Sequence, residues 1–176
     1  MKKKTNYKWL IKIVLISVAA TMVFTLASSE ILGRTGYVVT FAVLVVFVLI
    51  GVLFDMIGVA VTAATEAPFH SMAAHREPGA TESLLLIKNA DKVSSFCNDV
   101  VGDVSGIVSG ATAAMAAARL MQGLNNESFL LPLLISGAVT GLTIGGKAVA
   151  KTFAINKSTM IALKVGKLLA AFSRKN

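Results

Sequence analysis

Long apolar runs alternate with short polar interruptions along this chain. Four runs approach or exceed the roughly 20 residues a helix needs to cross a bilayer. They extend from Leu10 to about Leu32, from about Tyr37 to Ala64, from about Ser94 to Leu120, and from about Phe129 to Ala150. The pattern predicts an all-α membrane bundle of about four transmembrane helices. A polar turn, "QGLNNES", separates the last two runs. The segment 65–93 lies between the second and third. Pro78–Gly79 breaks it into two short helical pieces. In the second piece Leu84, Leu85, Ile87 and Lys88 mark one apolar and one polar side. Two readings stand: a helical hairpin at the membrane surface, or a solvated loop with some amphipathic character. The tail, "NKSTMIALKVGKLLAAFSRKN", predicts an amphipathic basic helix. Lys157, Lys164, Lys167 and Lys175 fall on one side of it, and Met160, Ile161, Leu168 and Phe172 largely elsewhere. Such a helix can lie on an anionic membrane face.

This divides the chain into an anchor helix and loop (1–36), a transmembrane domain that includes the hairpin (37–155), and a tail helix (156–176). The first run follows the basic "MKKKTNYKWLIK" and could be a signal peptide ending near "LASS". It is long for that role and lacks a clean A-x-A site, which favours an uncleaved anchor. Tyr7 and Trp9 then read as interface anchors.

Composition supports the membrane reading. Of the 176 residues, 55% are hydrophobic and only 15% charged, with a mean hydropathy of +0.75. A soluble domain carries about 25% charged residues. The net charge of +8 flanks apolar runs, so topology explains it without nucleic acid. Five lysines precede or open the first run; Arg76, Lys88 and Lys92 lie in 65–93. Lys147, Lys151, Lys157, Lys164, Lys167, Arg174 and Lys175 follow the fourth run's midpoint, while Arg34 and Arg119 are alone near the other two loops. Four spans with both termini cytoplasmic satisfy this bias, in a multi-pass protein of the cell membrane. The single cysteine, Cys97, has no internal disulfide partner.

Polar residues inside apolar runs carry the candidate chemistry. At 100° per residue, Asp99, Gly102, Asp103, Gly106, Gly110, Ala113 and Ala117 share about a third of one helix circumference. Val100, Val104, Ile107, Val108 and Met115 cover the rest. Small residues every fourth position let helices approach closely. The expectation is that the Gly/Asp side meets protein and the Val/Ile side meets lipid. The fourth run repeats the device with Gly137, Gly141 and Gly145, beside Ser136, Thr140, Thr143, Lys147 and Lys151. The two runs are expected to pack along their glycines and bring Asp99 or Asp103 near Lys147, with Asp55 able to join them. An isolated charge at the bilayer centre costs on the order of 3 kcal/mol or more. A bound cation, a salt bridge to Lys147, protonation or a water-filled vestibule would each relieve it. The cation site and the self-neutralising Asp–Lys network both remain open.

Three stretches, "FDMIGVAVTAATEAPFHSMA", "IKNADKVSSFCNDVVGDVSG" and "IGGKAVAKTFAINKSTMIALKVGKLL", resemble the transmembrane domain of the CorB/CorC/cyclin M magnesium transporter family, over about residues 45–172. The closest likeness is to short stand-alone CorB-like magnesium and cobalt transporters. Asn89-Ala90-Asp91 matches that family's Asn-Pro-Asp segment, and Asn98 falls at its binding asparagine. Gly146-Lys147-Ala148-Val149-Ala150-Lys151 aligns with its Gly-Glu-x-x-Pro-Lys ending. The resemblance implies a homodimeric divalent-cation transporter with no tightly held cofactor, magnesium or cobalt being cargo. The family's glutamate is Lys147 here, its proline is Ala150, and its Ser/Glu cluster is replaced around Asp55 and Gly58. The family's cytoplasmic domains do not follow within the 176 residues, and a separate cytoplasmic partner could supply them. Magnesium favours oxygen ligands; Asp99, Asp103, Asp55, Asn98, Ser94 and Ser105 are the candidates.

His70 and His75 with Glu66 and Glu77 form a weaker metal candidate, because no H-E-x-x-H or Cys/His spacing is present. No nucleophile–base arrangement occurs, and Gly145-Gly146-Lys147 lacks the P-loop spacing, so the sequence offers no enzyme. Against transport stands a membrane scaffold or regulator that binds a partner through 65–93 or the tail.

Overall fold

The computed structural model describes residues 7–34, 36–124 and 130–173. Among these residues all regular elements are helices. They are α1 (Tyr7–Arg34), α2 (Tyr37–Ala63), α3 (Glu66–Ala74), α4 (Ala80–Lys88), α5 (Ala90–Ser95), a π-helical segment (Phe96–Gly102), α6 (Asp103–Leu124), α7 (Leu130–Asn156) and α8 (Ser158–Ser173). Pro68 and Pro132 each sit at the third position of a helix, where a missing N–H costs no intrahelical bond. Pro78 falls in the α3–α4 turn, so no helix is broken internally by proline.

Among the described residues four stretches are long and apolar enough to cross a membrane: Tyr7–Ala27, Val38–Ala63, Ala90–Met121 and Pro132–Asn156. They correspond to the four runs read from sequence. The third is longer than expected because α5, the π segment and α6 run on from one another. Of the "QGLNNES" turn, α6 takes in the residues up to Leu124; residues 125–129 lie outside the described part, as do Lys2, Lys3, Lys4, Arg174 and Lys175.

The chain forms two compact units. The first comprises residues 1–51 and 100–143. In it α1 packs on α6, and Phe24 meets Phe47 edge to face at 5.9 Å and 87°, the arrangement ring quadrupoles favour. The buried side of α6 is Val104, Ser105, Val108, Ser109, Thr112, Ala113, Ala116 and Ala117. Two of its hydroxyls are satisfied locally: Ser109 donates to the Gly106 carbonyl at 3.0 Å and Thr112 to the Val108 carbonyl at 2.8 Å. That back-bonding lets small polar residues be buried without an orphan donor.

This corrects the expected orientation of the third span. Within the chain the valines face inward, while Asp103, Ile107 and Gly110 face outward. Ala113 and Ala117 are buried as expected, at the edge of the buried sector. Among the described residues the glycine seam is not formed either: a Cβ added at Gly106, Gly110, Gly137, Gly141 or Gly145 would meet none of them within 4 Å. Gly102 is the exception, buried with its carbonyl 3.7 Å from where a Cβ would stand at Gly51. The reason is physical. The third span has two close-packing faces, and the one built from Val, Ser, Thr and Ala offers more surface to bury than bare glycine backbone.

The second unit comprises residues 52–99 and 144–176. Helices α3 and α4 form the expected hairpin, which packs on α8 through α4. Phe69, Ile87, Ala162 and Ala64 make its core, with Met72, Leu84 and Leu163 against them. A second cluster joins Ala60 of α2, Ala154 of α7 and Ile161 of α8. The buried side of α4 matches the expected one at Leu84 and Ile87 and departs from it at Leu85. Ala80, Ser83 and Ile87 face inward, while Leu85 is exposed. Two glycines explain this. Gly79 adopts φ +83°, and a Cβ there would meet the Lys167 amide nitrogen and lie 2.7 Å from its Cα. A Cβ at Gly166 would meet the Ser83 hydroxyl and the Gly79 carbonyl. Backbone therefore meets backbone, and small residues win the buried positions.

Candidate functional site

The polar centre of the second unit is built on the last turns of α2. Asp55 and Gly58 lie one turn apart there. Asp55 Oδ2 stands 2.9 Å from Lys147 Nζ on α7, with the two side chains 20% and 28% exposed. Val52, one turn earlier, brings a Cγ2 to 3.4 Å from the Cβ position of Gly146. That near-contact seats α7 so that the next residue, Lys147, reaches the carboxylate. The lysine therefore pairs with Asp55, the residue expected only to join a pairing with Asp99 or Asp103.

Gly58 receives the third span. A Cβ at Gly58 would strike Asn98 Oδ1 and lie 2.9 Å from Asn98 Cγ. The absent side chain is what admits the amide. Asn98 Nδ2 donates to Ser94 Oγ at 3.1 Å. Its Oδ1 is buried with no hydrogen-bond partner among the described residues. A buried acceptor left unpaired costs about 1–3 kcal/mol, so this oxygen stands out. Cys97, the preceding residue, is a buried free thiol.

The π-helical segment Phe96–Gly102 carries Asn98 and Asp99. Its i→i+5 bonding inserts an extra residue, a device frequent at functional sites. It also alters the angular step between residues 96 and 102, so a regular helical wheel misplaces Asp99 relative to α6.

The remaining sequence candidates are distributed differently. Asp99 and Asp103 are both exposed. Ser105 is buried, with its Cβ 3.2 Å from the Cβ position of Gly51, a place that packing accounts for. Among the described residues no three of His, Cys, Asp or Glu gather where they could hold a metal ion. His70 Nε2 lies 3.4 Å from Glu66 Oε2, one turn away on α3, and both side chains are exposed. His75 Nδ1 lies 2.9 Å from the Ser71 carbonyl as part of the helix end. No family model, curated protein or solved structure matches the chain.

Sequence reasoning missed the Gly58–Asn98 approach, the π segment and the glycine contacts of α4 with α8. The signals were present in part. Gly166 interrupts an otherwise good helix former, and an isolated glycine inside a helix often marks a close approach. Nothing in residue types announces a π-helical turn.

Proposed function

We propose that the chain is an integral membrane protein of the CorB/CorC/cyclin M type that handles a divalent cation, magnesium or cobalt, at the polar group on α2. The observation that carries this reading is the buried, unpartnered Asn98 Oδ1, seated against Gly58 one turn from Asp55. An amide oxygen, a carboxylate and the Ser94 hydroxyl are hard oxygen donors, the kind magnesium takes while keeping several of its waters. Lys147 acts as a tethered cation on Asp55 in the unloaded state. An arriving ion displaces its ammonium, so the site never strands a naked carboxylate in a poorly hydrated place. Both termini are cytoplasmic in this reading, and the partners are membrane lipid, a second copy of the chain and the transported ion.

Magnesium or cobalt flux into vesicles reconstituted with the protein tests it. Asp55→Asn and Asn98→Ala should each reduce flux about tenfold or more, the loss of one charged or orphaned ligand. Flux unchanged in both variants removes this site from the path. Asp99→Asn and Asp103→Asn form the comparison. A loss in those two alone moves the path to the outward face of the third span.

A second reading is favoured by the 2.9 Å Asp55–Lys147 pair itself. Here Lys147 stays in place permanently, and the protein is a membrane scaffold or regulator with a structural ion pair. Thermal unfolding with magnesium, cobalt or calcium separates the two. Stabilisation that rises with cation concentration and vanishes in Asp55→Asn supports cation handling. No shift with any of the three supports the scaffold.

A further inference from the structure

The inner side of α8 is closed by protein. Ile161 and Ala162 are buried in the two clusters of the second unit, and Gly166 lies against Ser83 and Gly79. Ile161 lies on the side toward Ala60 and Ala154; on a helical wheel the sector opposite Ala162 and Gly166 holds Lys157, Met160, Lys164 and Leu168, with Lys167 and Phe172 at its two edges. Each of these is exposed, Leu168 at 62% and Phe172 at 75%. This sector is neither plain solvent surface nor a second core. It mixes large apolar side chains with lysines, a composition that fits the boundary between headgroups and acyl chains. Lysine stems can lie along that boundary while their ammonium groups reach outward.

Two further observations choose the occupant. No Asp or Glu occurs after Glu127, whereas seven Lys or Arg residues do. The sector of α8 itself therefore carries charge of one sign, while Glu77 and Glu82 of the hairpin line a cleft with Lys167 at its edge. Helix α8 also begins two residues after α7 ends, and α7 is long and apolar enough to cross a membrane. A helix that starts where a span stops starts at the level of the headgroups.

We propose that the outward face of α8 docks on an anionic phospholipid surface, with Leu168 and Phe172 entering the acyl boundary and Lys157, Lys164 and Lys167 on phosphates. The α3–α4 hairpin clamps the other side and holds this face toward the lipid. The docking does not depend on how the α2 site handles ions.

A fluorescence experiment on the full chain in vesicles tests it. Trp9 is the only tryptophan, so Trp9→Phe combined with Phe172→Trp leaves one reporter at the docking face. The vesicles contain acyl-brominated phosphatidylcholine, alone or mixed equally with phosphatidylglycerol, and quenching is read in each. Quenching should be stronger in the mixture and should weaken with added salt. Each lysine near the surface contributes about fivefold to partition onto anionic lipid. Lys157→Gln, Lys164→Gln and Lys167→Gln together should therefore lower the docked-to-free ratio about a hundredfold. These lysines are exposed, so thermal unfolding of the triple variant should match the parent. If the triple variant unfolds early, Lys164→Gln alone and the salt dependence give the same reading. Quenching absent in both lipids overturns the proposal. So does equal quenching in both that ignores salt and the lysines. A reporter shielded from bromine and from aqueous acrylamide alike also overturns it, since a protein would then cover the face.

Discussion

Lys147 Nζ and Asp55 Oδ2 approach to 2.9 Å between α7 and α2. The pair is partly buried, so breaking it from one side differs from removing it. Lys147→Met leaves the carboxylate without its partner and should cost about 1–3 kcal/mol, less than a fully buried pair because water still reaches it. Adding Asp55→Asn should recover most of that loss. Thermal unfolding of the two single variants and the double variant measures the coupling. Additive losses in the double variant would mean that the two side chains do not stabilise one another.

Gly58 is tight for a different reason. A methyl group there occupies the place of the Asn98 amide. Gly58→Ala should destabilise by about 1–3 kcal/mol, the usual range for forced overpacking. Asn98→Ala removes the obstructing atoms, so the double variant should be more stable than Gly58→Ala alone. A Gly58→Ala protein that unfolds like the parent would show that the amide has room to swing away.

The α4–α8 contact gives a sharper contrast. Gly166→Ala meets the Ser83 hydroxyl and also the Gly79 carbonyl. Ser83→Ala clears only the first of these, so it should not rescue Gly166→Ala. Each glycine variant should lose about 2 kcal/mol or more, because backbone cannot yield as a side-chain tip does. Gly79→Ala adds the strain of φ +83°. Recovery by Ser83→Ala would place the conflict on the hydroxyl alone.

The open glycines predict the reverse. At Gly137, Gly141 and Gly145 nothing among the described residues lies within 4 Å of the place a methyl group would take. Replacing each with Ala should raise helix stability by about 0.5–1 kcal/mol through propensity alone. Chemical unfolding of the single variants checks this. A loss of stability or of oligomer in any of them would show that another helix seats there.

Arg76 occupies a place that usually belongs to glycine. It has φ +56°, with its N–H bonded to the Ala73 carbonyl at 3.0 Å and the next N–H, of Glu77, to the Met72 carbonyl at 2.9 Å. That pair of bonds closes α3 as a Schellman turn. Arg76→Gly should leave the turn intact and change stability by between about 0 and +1 kcal/mol, since relief of the left-handed strain offsets the entropy of glycine. A clear loss in thermal unfolding would show that the arginine side chain holds the hairpin in some further way.

The four long helices were legible because membrane-length apolar runs leave few alternatives. The hairpin was legible because Pro78–Gly79 halts one helix and permits the next. Which side of each helix is buried was less accessible. On α6, valines and glycines recur at similar spacing, and hydropathy does not say which stripe meets protein. On α4, Leu85 looks like core by its type, yet Ser83 is buried because Gly79 and Gly166 bring the backbones together. At the polar centre, Asp55 and Lys147 both stand out as charges within apolar runs. Their pairing needed the depth at which α7 crosses α2, which Val52 and Gly146 set and no residue pattern states.

Ser83 shares its proton between the carbonyl of Gly79, at 2.7 Å, and that of Ala162, 79 residues further on, at 3.1 Å. A ribosome adding about 5–20 residues per second exposes α4 roughly 4–16 seconds before its mate exists. During that interval the groove around Gly79 is unfilled. Docking of the hairpin on α8 thus comes late in synthesis, and a nascent chain stalled before α8 would display an unfinished surface.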